Sequence, residues 1–256
     1  MNKYFTNITS NSADFYVYGT IVDEKQEDWF TGEKSETEVD PIEFKNELDD
    51  LKGRGIKDFN IYINSGGGSV FASSTLVSMI RRFRDETGAK IHSFIDGLCA
   101  SASTYLCMVA DEINVYRNSI MMIHKPMTFA MGNSEDLEKE INALNAIEDD
   151  MMIPMYMEKA KVDEAQIKDL IRNETWFSGN EKDDMFIGNF FKINYLDTAK
   201  NVPVNLTKGM LNSYKHIPQD LVENSRPKQQ NDVVEKAQID YSNYEQKLCS
   251  LKKEEC

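Results

Sequence analysis

Hydrophobic positions along this chain recur at two spacings, and the switching between them organises residues 15 to 124. Phe15-Tyr16-Val17-Tyr18-Gly19-Thr20-Ile21-Val22 is a β-branched and aromatic run that predicts a strand. Asp40-Pro41 then supplies an N-cap with proline at the first helical position. Phe44, Leu48 and Leu51 follow at helical spacing, and Gly53 ends the element. A second strand is predicted over Phe59–Ile63, stopping at Asn64-Ser65-Gly66-Gly67-Gly68-Ser69. Leu76, Met79, Ile80 and Phe83 mark an amphipathic helix closed by Gly88, and Lys90–Ile95 reads as a third strand. A helix over Ser101–Ala110 and strands over Ile113–Tyr116 and Ser119–His124 complete the series. Strands alternating with helices of this length imply βαβ units in an α/β fold.

The pattern changes after residue 133. Ser134 reads as the cap of a helix whose apolar stripe, Leu137, Ile141, Leu144, Ile147 and Met151, runs on towards Lys161. A compact domain seldom spends so long an element, so residues 134–161 are expected to project, with Pro154 kinking or splitting the helix. A short helix with Ala165, Ile167 and Leu170 leads into Glu174-Thr175-Trp176-Phe177-Ser178.

Charge sharpens the domain picture. Nine basic and nine acidic residues cancel from Asp197 onward, so the net charge of −14 is carried entirely by residues 1–196. A boundary is expected near residue 200, with a folded domain over 1–200 and a polar extension over 201–256 that is flexible or helical only with a partner. The strong negative charge repels phosphate backbones, which argues against nucleic acid as a partner. No apolar run approaches the roughly 18 residues a membrane span needs, and neither end shows a secretory apolar core, so a soluble, cytoplasmic protein without membrane contact is expected. Cys99, Cys107, Cys249 and Cys256 lack C-x-x-C spacing and a nearby histidine cluster, which speaks against a metal site. Cys99 and Cys107 read as reduced, buried thiols.

Four places carry candidate chemistry. Gly66-Gly67-Gly68 sits where a strand gives way to a helix. It fits a flexible turn, a phosphate-binding loop, or a backbone oxyanion hole; Walker-A spacing with its lysine and G-x-G-x-x-G are both absent. Ser101, after Gly97-Leu98-Cys99-Ala100, is either an N-cap or a nucleophile that gains from the positive end of the helix, with the Ala102 N–H as a second oxyanion donor. His124 is either structural or the base that takes the proton of Ser101. His92, inside a strand, and His216, in the polar tail, have no comparable setting. Glu174 is either a solvated acid or the carboxylate that orients His124.

Three blocks, Ile63-Asn64-Ser65-Gly66-Gly67-Gly68-Ser69-Val70, Gly97-Leu98-Cys99-Ala100-Ser101-Ala102 and Met121-Met122-Ile123-His124-Lys125-Pro126, resemble in order and spacing the signature blocks of the ClpP serine peptidases. The resemblance runs from about residue 14 to about residue 196. It implies a ClpP/crotonase-type fold of stacked βαβ units, with residues 134–161 as a projecting handle helix. It also implies Ser101 as nucleophile, His124 as general base, and Gly68 and Ala102 N–H groups as the oxyanion hole. Glu174 stands where the family usually has an aspartate, and Gly66-Gly67-Gly68 where it has Pro-Gly-Gly.

The same resemblance implies an endopeptidase without metal or cofactor. Its polypeptide substrates would lie extended between the Gly66–Gly68 strand and the Thr128–Gly132 segment. Self-association into stacked rings, commonly of seven subunits, is expected, with an AAA+ unfoldase or capsid proteins as further partners. Glu174-Thr175-Trp176 and the acidic stretch of residues 23–39 look most like the phage-encoded ClpP-like head maturation proteases. Two rivals are a ClpP-like ring with a drifted triad that serves as a scaffold, and a crotonase-like acyl-CoA enzyme, which would need no Ser-His pair.

Overall fold

The structure, a computed structural model, describes residues 4–27, 35, 37–196, 214 and 217. In chain order these form β1 Phe5–Thr6, β2 Ser12–Ile21, β3 Glu38–Val39, α1 Pro41–Leu51, β4 Asp58–Gly68, α2 Val70–Thr87 and β5 Lys90–Ala100. A 3₁₀ turn at Ser101–Ser103 leads into α3 Thr104–Met108, β6 Glu112–Tyr116, β7 Ile120–Ile123 and α4 Ser134–Ala146. A π-helical stretch at Ile147–Met152 is followed by α5 Ile153–Met157, α6 Glu164–Arg172, β8 Thr175–Ser178, α7 Ile187–Phe190 and β9 Asn194–Leu196. The result is a mixed α/β fold around one sheet.

The sheet runs β1-β2-β4-β5-β6-β9, with β3 beside β2 and β7 branching from β5 to carry β8. Its spine is parallel: Phe15 aligns with Ile61, Ile61 with Ser93, and Ser93 with Ile113. Strand alternation sends Phe15, Val17, Phe59, Ile61 and Ile63 into the main core, where Phe5, Phe44 and Phe83 pack against them. Each such side chain removed from water stabilises the fold by about 1.5–3 kcal/mol. The opposite face carries a stacked ladder of Tyr16, Tyr62 and Phe94.

The helices take their limits from local chemistry. Asp40 accepts from the N–H groups of Ile42 and Glu43, and Pro41 follows at the first position, as its sequence predicts. Gly88 ends α2 with φ +71°, a left-handed conformation that glycine adopts without penalty. Cys99 and Cys107 are buried free thiols, and burial pushes the Cys99 thiol well up.

Several boundaries differ from the sequence expectation, each for a physical reason. β4 continues through Gly66-Gly67-Gly68 because a register shift at Gly19 lets Thr20 and Ile21 keep pairing with Gly67 and Gly68. β5 reaches Ala100, since it exchanges partners midway: His92–Ile95 pair with β6, and Leu98–Ala100 pair with β7. The helix expected from Ser101 begins instead as a tight 3₁₀ turn and is α-helical only over Thr104–Met108. Thr175–Ser178, a stretch after Glu174 to which the sequence assigned no element, form β8.

The long helix is capped by Asn133 rather than Ser134, in a capping box completed by Asp136. It neither ends nor splits at Pro154. A wide π turn over Ile147–Met152 precedes that proline and accommodates its missing N–H. No residue of α4 is buried, and Leu137 and Ile141 are exposed.

Two described residues lie beyond the change of charge expected near residue 200. Tyr214 and Ile217, both beyond that point, pack on a second, small cluster of Leu98, Ala100 and Met122 with Ile120 and Trp176. Cys249, Cys256 and His216 lie outside the described residues.

Candidate active site

The exchange of partners along β5 builds the site. Leu98, Cys99 and Ala100 align with Ile120, Met121 and Met122 of β7, so Ser101 and His124 leave the ends of two neighbouring parallel strands. The Oγ of Ser101 lies 2.7 Å from Nε2 of His124. β8 runs antiparallel to β7, with Ile123 opposite Thr175, so one further step of that register sets Glu174 across from His124. Three positions 23 and 50 residues apart in the chain thus meet at one end of a three-strand ribbon.

Backbone strain concentrates here. Among the described residues three non-glycines have positive φ, and two of them are Ser101 (+54°) and Glu174 (+49°). Such conformations cost of order 1–3 kcal/mol and persist where surrounding structure dictates them. At Ser101 the dictating bonds are identifiable. Ser103 Oγ donates to the carbonyls of Ala100 (2.8 Å) and Ser65 (3.1 Å), and Thr104 Oγ1 donates to the Ser101 carbonyl at 2.6 Å. Thr104 is itself held by the Tyr156 hydroxyl at 2.7 Å. The tight turn points the Ser101 side chain at the imidazole instead of using it as a helix cap.

The glycine strand passes directly over that turn. A Cβ on Gly67 would stand 2.6 Å from the Ala100 carbonyl oxygen, 2.8 Å from Ser101 Cβ and 2.9 Å from the Ala102 nitrogen. Gly67 and Gly68 also have φ of +92° and +144°. Ile21, aligned with Gly68, gives its carbonyl to the N–H of Ser69 at 2.8 Å. By strand alternation the Gly68 amide then faces away from β2. Ser65 Oγ accepts from Gly67 N–H at 3.0 Å within the glycine strand, and Asn64 Oδ1 accepts from Leu98 N–H at 3.1 Å, joining β4 to β5 where ladder pairing lapses. Beside Ser101 opens a pocket of about 80 Å³, whose lining includes Gly68, Ala102, His124, Met127 and Met152.

His124 is 7% exposed, and its ring is held below the ordinary histidine range. Burial is the larger cause, and the negative charge of Glu174 works in the opposite direction. A neutral imidazole near pH 7 offers Nε2 as an acceptor to the Ser101 hydroxyl. The neighbouring Lys125 is engaged by Glu148 of the π turn at 2.7 Å. His92 lies apart from this site, between Asp58 (3.4 Å) and Glu112 (3.2 Å).

Ser101, Ala102, His124 and Gly68 therefore converge on one pocket, and Glu174 stands behind the histidine. Gly66 and Gly67 belong to the strand beside it. The sequence reading passed over Ser65, Ser103 and Tyr214. The serines are small polar residues inside the signature blocks, where buried hydroxyls need carbonyl partners; nothing local marks Tyr214. A family model described as Clp protease matches residues 48–185, a span that includes every predicted site residue and stops short of Tyr214.

Proposed function

The chain belongs to the Clp protease family, a membership that makes it a serine peptidase in general, and we propose that it cleaves peptide bonds through Ser101, His124 and Glu174. The observation that carries this reading is the 2.7 Å contact between Ser101 Oγ and His124 Nε2 at a strained, tightly held turn.

The steps follow from the geometry. Ser101 Oγ attacks the scissile carbonyl carbon as His124 Nε2 takes its proton, and the new C–O bond leaves an oxyanion. Gly68 and Ala102 line the pocket where that charge develops, and their amides would serve as its oxyanion hole, each such donor contributing roughly 10²–10³ in rate. Collapse of the intermediate breaks the C–N bond, and His124 returns the proton to the departing amine. Water then hydrolyses the acyl-enzyme by the same route. Glu174 holds the imidazole and stabilises its charged form. Extended polypeptide would pair with the strand of Gly66, Gly67 and Gly68 on one side and with Thr128–Gly132 on the other.

A second copy of the chain is the proposed cover for the apolar side chains around α4. Phe129 and Met131 are 94% and 91% exposed, and Leu137 and Ile141 extend the patch. Self-association is consistent with a family that usually forms rings; seven subunits and face-to-face stacking belong to the proposal. Leu137→Glu with Ile141→Glu is expected to lower the assembled mass on native mass spectrometry, and an unchanged mass would remove this surface from the interface.

The state of His124 gives a test by pH. Its neutral form is the competent base, and burial keeps its protonation below the usual pKa of 6.5. The acid limb of peptide kcat/KM is therefore expected to have its midpoint below pH 6.5. Stability shifts in the same sense. In the unfolded chain His124 binds its proton at the ordinary pKa, so its linkage disfavours the fold as pH drops through 6.5 and vanishes above it. An acid limb at or above 6.5 would contradict the assignment of His124 as base.

A further inference from the structure

Tyr214 lies outside the span of the family match, yet its side chain reaches the site. Its hydroxyl donates to the carbonyl of Gly66, two residues before the proposed oxyanion amide of Gly68. Its ring stands perpendicular to His124 (centroids 5.7 Å apart, 89°) and to Trp176 (5.6 Å, 84°).

Strand alternation explains the meeting. Ile120 and Met122 on β7 and Trp176 on β8 share one face of the ribbon, and the same alternation carries that face on to His124 and Glu174. Tyr214 and Ile217 pack on this face, and Tyr214 is not among the residues that line the 80 Å³ pocket. The pocket beside Ser101 is left open, so the tyrosine supports the site without plugging it.

Resting on the serine-peptidase reading, we propose that Tyr214 is a positioning residue, fixing the glycine strand through its hydroxyl and the orientation and dryness of His124 through its ring. The need is physical. Three consecutive glycines lose more freedom on ordering than any other tripeptide, and a bond at Gly66 restrains the peptide that leads to Gly68. The groups around the imidazole are Ser101, Glu174, Tyr214, the pocket residue Tyr105, and Lys125 with its partner Glu148. Of these, Tyr214 and Glu174 are not among the residues that line the pocket. Burial and the charge of Glu174 push the Tyr214 phenol up to about 12, so it remains a donor throughout the working range.

Two full-length variants separate the hydroxyl from the ring. Tyr214→Phe keeps the packing and is expected to lower kcat about tenfold, the order of one buried hydrogen bond, with the acid limb of the profile unmoved. Tyr214→Ala admits water to His124, whose pKa burial holds down, so the His124 titration followed by NMR should move up towards 6.5. Rates within twofold of wild type in both variants, a faster Tyr214→Phe, or a His124 titration unchanged in Tyr214→Ala would each overturn the proposal. These results differ from failure of the underlying reading, which would appear as wild-type protein that leaves peptides uncleaved while Tyr214→Ala still shifts the His124 titration.

Discussion

Ser101→Ala is expected to lower peptide hydrolysis by roughly 10⁴- to 10⁶-fold, the range found when a nucleophile is removed from a Ser-His-acid site. The fold should survive the change. Alanine at φ +54° is strained about as much as serine, and the bonds that hold the turn come from Ser103 and Thr104, not from the Ser101 hydroxyl. The measurement is kcat/KM on a fluorogenic peptide beside a thermal unfolding curve. Activity lost with an unchanged unfolding midpoint supports the role of nucleophile. Activity retained within tenfold would assign the chemistry elsewhere.

Gly67→Ala is expected to damage both stability and rate, although it adds only one methyl group to a residue that donates no group to the bond-making steps. At φ +92° an L side chain is strained, and the new Cβ would stand 2.6 Å from the Ala100 carbonyl and 2.9 Å from the Ala102 nitrogen. Backbone atoms cannot rotate out of the way, so the glycine strand and the Ser101 turn must separate. A loss of about 2–4 kcal/mol in stability follows from strain plus overpacking. Because Gly68 and Ala102 sit on the two segments pushed apart, kcat should also fall by at least about 100-fold, as misplacements near 1 Å commonly cause. Near-wild-type activity with ordinary stability would mean that this close approach is not needed for catalysis.

Much of the parallel spine was legible because its signals are local. Asp40-Pro41, Gly53, Gly88 and the β-branched runs each act within a few residues, and the elements formed where they predicted. What escaped depends on pairing between distant segments. β4 continues through its glycines only because Gly19 shifts the register of β2, and β5 outruns Ile95 only because β7 arrives to take its second half. β8 is a strand because β7 offers it an edge.

The candidate site divides along the same line. Ser101, Gly68, Ala102 and His124 stand in compact blocks, so the sequence could propose them together. The structure adds their 2.7 Å contact and the positive φ of Ser101, which replaces the expected helix cap. Glu174 was the loosest reading because glutamate is a methylene longer than aspartate. It stands one register step beyond the β7–β8 pairing, with a φ of +49°. Tyr214 had no signal, being a tyrosine in a polar stretch more than a hundred residues from Gly66.

The most direct test is covalent. A fluorophosphonate probe reacts with a serine only when a base has activated it, and the adduct can be mapped by peptide mass spectrometry. Labelling of the wild-type chain at Ser101, abolished in Ser101→Ala and strongly slowed in His124→Ala, is the predicted result. Absence of labelling in folded, assembled wild-type protein, or an adduct at another serine, would contradict the serine-peptidase account.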